Sequence, residues 1–187
     1  MSAPQACSLL SPELDIPLCE KGIGAVIHTP HDAALIDGVR IECSVIHPDD
    51  RGYFLEVMRS GQGLVAAYPA SRTQVSASVS YPGIIKAFHY HVRQTDCWIP
   101  VAGMLQVALV DLRRRAPTFG TRNTLYVGTL RPWRLLIPPG VAHGYKVISK
   151  EPAVLVYLTD QFYDPADEGR IPYHHPGINY DWELQHR

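Results

Sequence analysis

The densest group of reactive side chains lies in Gly83-Ile-Ile-Lys-Ala-Phe-His-Tyr-His91, where two imidazoles stand two residues apart. In an extended strand alternate residues share a face, so His89 and His91 point the same way, with Lys86 out of phase unless the strand bends. An imidazole titrates near neutrality and can take a proton at physiological pH. Histidines among strand aromatics are equally what a packed, hydrogen-bonded core contains, so this segment alone does not define a site. Three later segments add to it. Val110-Asp-Leu-Arg113 ends an apolar stretch with a carboxylate and a guanidinium, partners suited to a histidine. Ile137-Pro-Pro-Gly-Val-Ala-His-Gly-Tyr145 sets His143 just after a rigid turn, and Tyr157 and Tyr163 follow on the next strand and its exit. Each has an ordinary structural explanation when taken singly: an ion pair, a loop imidazole, core rings. Together they describe a pocket with a base, cations and phenols.

Holding such a set in place calls for a rigid scaffold, and the periodicity of the chain supplies one. Val39, Ile41, Cys43 and Val45 alternate with other residues, as do Val75, Ala77 and Val79, then Leu105, Val107 and Leu109, then Val154, Val156 and Leu158. Turn chemistry separates these runs at 47–52, 81–83 and 138–140. The stretch Gly63–Tyr68 is the one short helix expected. Many short strands, with 16 prolines and 14 glycines, predict an all-β jelly-roll barrel with a few short peripheral helices. Residues 1–32, punctuated by four prolines, are expected to form an irregular arm suited to draping over a partner subunit, and 33–187 a single jelly-roll domain. No internal repeat or low-complexity tract is present.

Composition narrows the class. The chain is 46% hydrophobic and 19% charged, enough apolar material for a sizeable core, and a net charge of −1 gives no bias toward nucleic acid or anionic membrane. Cys7, Cys19, Cys43 and Cys97 are scattered without metal-binding or redox spacing, and are expected as reduced core thiols of a cytoplasmic protein. The N-terminal residues lack the pattern of a signal peptide, and no apolar run approaches bilayer-spanning length.

Over about residues 37–182 the sequence resembles the dTDP-4-dehydrorhamnose 3,5-epimerases, through motifs in family order. Asp50-Arg-Gly-Tyr-Phe-Leu-Glu56, Gln74-Val-Ser76 and Gly83-Ile-Ile-Lys-Ala-Phe-His-Tyr90 come first. Val110-Asp-Leu-Arg113 with Pro117-Thr-Phe-Gly120, Ile137–Gly144, Tyr157, Tyr163-Asp-Pro165 and Glu168 follow. The resemblance implies a cofactor-free epimerase of a 4-keto nucleotide sugar, acting at C3, C5 or both, where the adjacent carbonyl acidifies the proton by enolate formation. It implies that His89 removes that proton, that Lys86 stabilises the enolate oxygen, and that Tyr157 returns a proton from the opposite face. Arg51, Glu56, Gln74, Ser76, Asp111, His143, Tyr163 and Glu168 are implied in substrate binding, with Arg51 on the diphosphate and Tyr163 against the base or sugar. A dTDP-linked substrate and a homodimer are implied as well.

The chain departs from the family pattern at several points. Lys86 stands for the usual Arg, His91 for Gln, and Asp96 for a nearby Lys. The family's Lys-Asp pair beyond the final tryptophan, whose Asp orients the catalytic histidine, has no counterpart after Asp181-Trp-Glu183. Asp111 or Asp96 is expected in that role, provided that one lies within hydrogen-bonding reach of His89. These departures also open two alternatives. His89, His91, Asp96 and His143 resemble the ligand set of a metal-dependent cupin, an isomerase or oxygenase binding Fe, Mn, Ni or Zn. A jelly roll that binds a sugar nucleotide without turning it over is the other.

Overall fold

In the computed structural model, which describes residues 11–184, short runs rich in β-branched and aromatic residues form strands joined by tight turns. Cys7 and the first part of the expected arm lie outside the described residues. The strands are β1 (Ala25–Val26), β2 (Arg40–Cys43), β3 (Ile46–Asp49), β4 (Gly52–Leu55), β5 (Gln74–Ser80), β6 (Ile85–His91) and β7 (Asp96–Ala102). Then come β8 (Met104–Asp111), β9 (Arg122–Gly128), β10 (Trp133–Ile137), β11 (Val141–Val147), β12 (Ala153–Thr159) and β13 (Glu168–Arg170). They build a six-stranded sheet in the order β1-β9-β8-β11-β6-β13 and a five-stranded sheet in the order β2-β10-β7-β12-β5. The two sheets face each other as a jelly roll, and β3 and β4 form a separate hairpin.

Alternation explains how both faces of each sheet are used. Leu105, Val107, Leu109, Leu135, Ile137 and Leu155 point between the sheets and make the main core. From the same strands Ala108 and Val110 point outward, where Leu14, Ile23, Ile171, Ile178 and Trp182 cover them. On the other sheet Cys97, Ile99 and Leu158 pack outward under Leu64 and Val65. The described part of the arm, 11–32, is largely irregular. It lies against its own barrel rather than away from it: β1 pairs in parallel with β9, and Leu14 and Ile23 are buried there.

Three expectations change in detail. On β5 the apolar Val75 and Val79 are 64% and 61% exposed, while Ser76, Ser78 and Ser80 point inward. This strand is a sheet edge whose inner face meets a polar pocket, so the alternation is right and its inward face is the serine one. The run 39–45 is broken, because Ser44 turns away to the Pro132 carbonyl and leaves Cys43 and Val45 exposed. In place of the helix over 63–68 stands a 3-10 turn, Gly63–Val65; six residues before Pro69 are too few to propagate an α-helix. Of the described cysteines only Cys97 is in the core, with burial pushing its thiol up to about 12. Among the described residues no helix is long and apolar enough to cross a membrane.

Candidate active site

A pocket of about 320 Å³ opens between the two sheets, and most of the chemically capable side chains line it. Lys86, His89 and His91 enter from β6, His143 from the adjacent β11, and Tyr157 from β12 on the facing sheet. The bend needed to turn Lys86 inward is present. His143 pairs with His89, yet Tyr145 pairs with Lys86, so two steps along β11 answer three along β6. That bulge shifts the phase of the strand and puts residues three apart on one face. Lys86 Nζ then donates to Ser78 Oγ at 2.8 Å, and Phe88 and Tyr90 go fully into the outer core.

His89 is half-buried, and its Nδ1 lies 3.5 Å from Glu168 Oε1. Burial lowers the imidazole below its ordinary pKa, with the Glu168 anion opposing that shift, so the ring is neutral at physiological pH. The carboxylate facing His89 is therefore Glu168, and the expected partners fall away for physical reasons. Asp111 is fully buried and taken up by Arg113 (2.8 Å) and Thr118 (2.6 Å), outside the pocket lining. Asp96 faces His91 and His143 instead. Glu168 is also held by Arg170 Nε at 2.5 Å, and both line the pocket.

The approach of Glu168 depends on β13 pairing alongside β6 at the sheet edge, where Gly169 pairs with Tyr90. A methyl at Gly169 would overlap the Tyr90 ring, which is fully buried and cannot yield. Gly169→Ala is expected to cost about 1–3 kcal/mol of stability by overpacking, measured by urea unfolding, and to weaken proton abstraction by lifting Glu168 from His89. Unchanged stability and turnover would show that β13 does not set this contact.

A second group sits beside the first. His143 follows the Pro138-Pro139-Gly140 turn, in which Gly140 takes φ +77° and donates its N–H to the His91 carbonyl at 2.7 Å. Nδ1 of His143 hydrogen-bonds the Val141 carbonyl at 3.0 Å, and its Nε2 lies 3.5 Å from Asp96 Oδ2. His91 Nε2 is 3.8 Å from Asp96 Oδ1. The metal-ligand grouping among the described residues is thus His91, Asp96 and His143, without His89, which stands apart with Glu168.

The remaining expected residues divide. Gln74 lines the pocket and accepts the backbone N–H of Tyr163 at 3.0 Å, which sets the exposed Tyr163 ring at the mouth. Ser76 is held by Gln74 Nε2 at 3.1 Å beside Tyr157 in the register, without lining the pocket itself. Arg51 and Glu56 are not brought to the pocket of their own chain. Arg51 is 83% exposed at the tip of the β3–β4 hairpin, paired with Asp49 at 2.5 Å, and Glu56 pairs with Arg59 at 2.9 Å. Conversely Gln94, Trp98, Tyr145 and Arg170 line the pocket and were not singled out from the sequence. The inward serines of β5 carried a period-two signal for Ser78, and for Arg170 the signal was its spacing of two from Glu168.

The chain is similar to known proteins over most of its length. The family model described as dTDP-4-dehydrorhamnose 3,5-epimerase matches residues 33–187. The spore coat polysaccharide biosynthesis protein SpsL of Bacillus subtilis is 43% identical over 155 residues, covering 82% of this chain and 100% of that protein. A crystal structure from Legionella pneumophila, of dTDP-6-deoxy-D-glucose-3,5-epimerase in complex with dTDP-4-keto-L-rhamnose, is 29% identical with a TM-score of 0.68. The match covers 80% of this chain and 81% of that one. ChmJ, a 3'-monoepimerase from Streptomyces bikiniensis in complex with dTDP-quinovose, is 28% identical with a TM-score of 0.69, covering 79% and 76%.

Proposed function

The chain belongs to the dTDP-4-dehydrorhamnose 3,5-epimerase family, and from that premise we propose how its pocket epimerises a 4-keto nucleotide sugar. The observation that carries the reading is an imidazole and a phenol on facing sheets of one pocket, His89 on β6 and Tyr157 on β12. Inversion needs that opposition: a base on one face of the ring carbon and an acid on the other.

His89 Nδ1 faces Glu168, so its Nε2 is the nitrogen that takes the proton from the carbon next to the ketone. The C–H electron pair passes into an enolate, whose oxygen gains the Lys86 ammonium as counter-charge. Tyr157 gives its phenolic proton to the carbon from the opposite side, and solvent then resets phenolate and imidazolium. Glu168 acts here as the orienting carboxylate. Tyr163 at the mouth packs against the base or sugar, and His143 and Gln74 shape the wall.

The nucleotide is proposed to be dTDP, as the bound ligands of the Legionella and Streptomyces proteins suggest, and the compartment to be the cytoplasm. A homodimer is proposed as well. The edge strand β5 exposes Val75 and Val79, and the β3–β4 hairpin exposes Phe54 at 68%. Covering these surfaces with a second copy would let Arg51 serve the diphosphate in that copy's pocket. The substrate is tested by offering dTDP-, UDP- and GDP-linked 4-keto-6-deoxyglucose and following product by proton NMR. Inversion at C3 or C5 of the dTDP sugar is expected, and inversion confined to another nucleotide would overturn that assignment.

The acid limb of the pH profile gives a second test. Below the His89 pKa the ring is protonated and cannot act as a base, so kcat/KM falls as pH falls. Glu168 raises that pKa and Arg170 lowers it. Glu168→Gln therefore moves the acid limb to lower pH, while loss of orientation lowers the plateau. A lowered plateau with an unmoved limb would assign Glu168 a purely structural part.

A further inference from the structure

Beside His89, the pocket wall carries a cluster that the proton-transfer chemistry does not need. His91, Asp96 and His143 are each less than a tenth exposed, and their ligand atoms all lie within 4.8 Å of one another. All three atoms are electron-pair donors. The Nδ1 of His143 is engaged with the Val141 carbonyl, a contact in which the ring N–H donates, so the lone pair is on Nε2, toward Asp96. His91 presents Nε2 to the same carboxylate, and behind it Nδ1 faces the buried Asp167 at 3.9 Å. The carbonyl behind His143 is the usual outer support of a metal-binding imidazole, while His91 Nδ1 is buried without a hydrogen-bond partner.

Asp96 itself has few donors for a buried carboxylate. Gln94 Nε2 at 2.7 Å and Trp98 Nε1 at 3.2 Å hydrogen-bond to it, both uncharged. Gln94 Nε2 also reaches His91 Nε2 at 3.2 Å, and so bridges two of the three donors. A cation can take over that bridge once the amide turns, and half a turn presents Oε1 as a further ligand.

We propose that His91, Asp96 and His143 form a binding site for one first-row divalent transition metal ion, opening into the pocket beside His89. Two imidazoles and one carboxylate favour Mn, Fe, Co, Ni or Zn over Mg and Ca, which prefer oxygen alone. The present separations exceed the ~3.4 Å edge of a tetrahedral site with bonds of about 2.1 Å, so the three side chains draw together on binding. Because all of them line the pocket, the remaining coordination positions face the substrate space. The proposal concerns metal affinity and stands separately from the role of His89.

The test uses tag-free, chelator-treated protein titrated with Co2+, followed by visible d–d absorption, with equilibrium dialysis against Mn2+, Fe2+, Ni2+ and Zn2+. One Co2+ per chain is expected, with ligand-field bands of a nitrogen–oxygen site. His91→Gln and Asp96→Asn, both close in shape to the native residue, are expected to weaken binding at least tenfold. His89→Ala is expected to retain the bands while losing deuterium exchange into the keto sugar, which separates the metal site from the base. Absence of stoichiometric binding of any of the five ions overturns the proposal, as does binding that survives both His91→Gln and Asp96→Asn.

Discussion

His89→Asn is expected to lower kcat/KM for the 4-keto sugar by about 10²- to 10⁴-fold, the usual contribution of a positioned general base. The imidazole is half-buried and points into the pocket, not into either outer core, so asparagine fits without disturbing the fold. Its amide can still meet Glu168, and the backbone pairing of β13 with β6 is untouched. Binding of the nucleotide sugar should change little, since the lost group acts on one proton of the ring. The pair of measurements is single-turnover exchange and equilibrium dialysis of dTDP. A variant that still exchanges protons within tenfold of wild type would remove His89 from the mechanism and direct attention to His91 or His143.

Tyr157→Phe should separate two events that are coupled in the native enzyme. The ring remains packed against the main core, between Ser76 and Trp98 in the strand register, so the pocket keeps its shape. His89 still takes the proton and can return it to the same face. Solvent deuterium is therefore expected to enter the starting sugar with retention, while formation of the inverted product falls by about 10²- to 10⁴-fold. Equal loss of exchange and inversion would mean that the phenol also assists abstraction. Selective loss of inversion in Tyr163→Phe, with Tyr157→Phe unaffected, would exchange the roles of the two rings.

These effects rest on contacts that were legible in the sequence to different degrees. The jelly roll followed from short alternating runs and their turns, because strand periodicity is local and the core needs little else. The His89 and His91 phase was equally local. Lys86 was not, since its inward turn depends on the bulge between β6 and β11. Glu168 stood in the motif series, but its position opposite His89 is created by β13 pairing with β6, a contact between distant parts of the chain. Asp111 illustrates the reverse: a carboxylate at a strand end looked available, and Arg113 two residues on had already neutralised it. On β5 valines drew the eye inward, whereas a pocket for a polar sugar wants the serines there. Arg51 and Glu56 kept their motif spacing and yet lie on a hairpin away from their own chain's pocket, where spacing along the sequence has no bearing.

Proton abstraction by His89 is tested most directly by solvent deuterium incorporation into dTDP-4-keto-6-deoxyglucose, read by mass spectrometry and NMR, for wild type and His89→Asn together. Deuterium at C3, C5 or both is expected with wild type, accompanied by inversion at the labelled carbon, and little of either with the variant. Tight binding of the sugar nucleotide by wild type with no label at either carbon would contradict it, and would leave a pocket that binds without turnover.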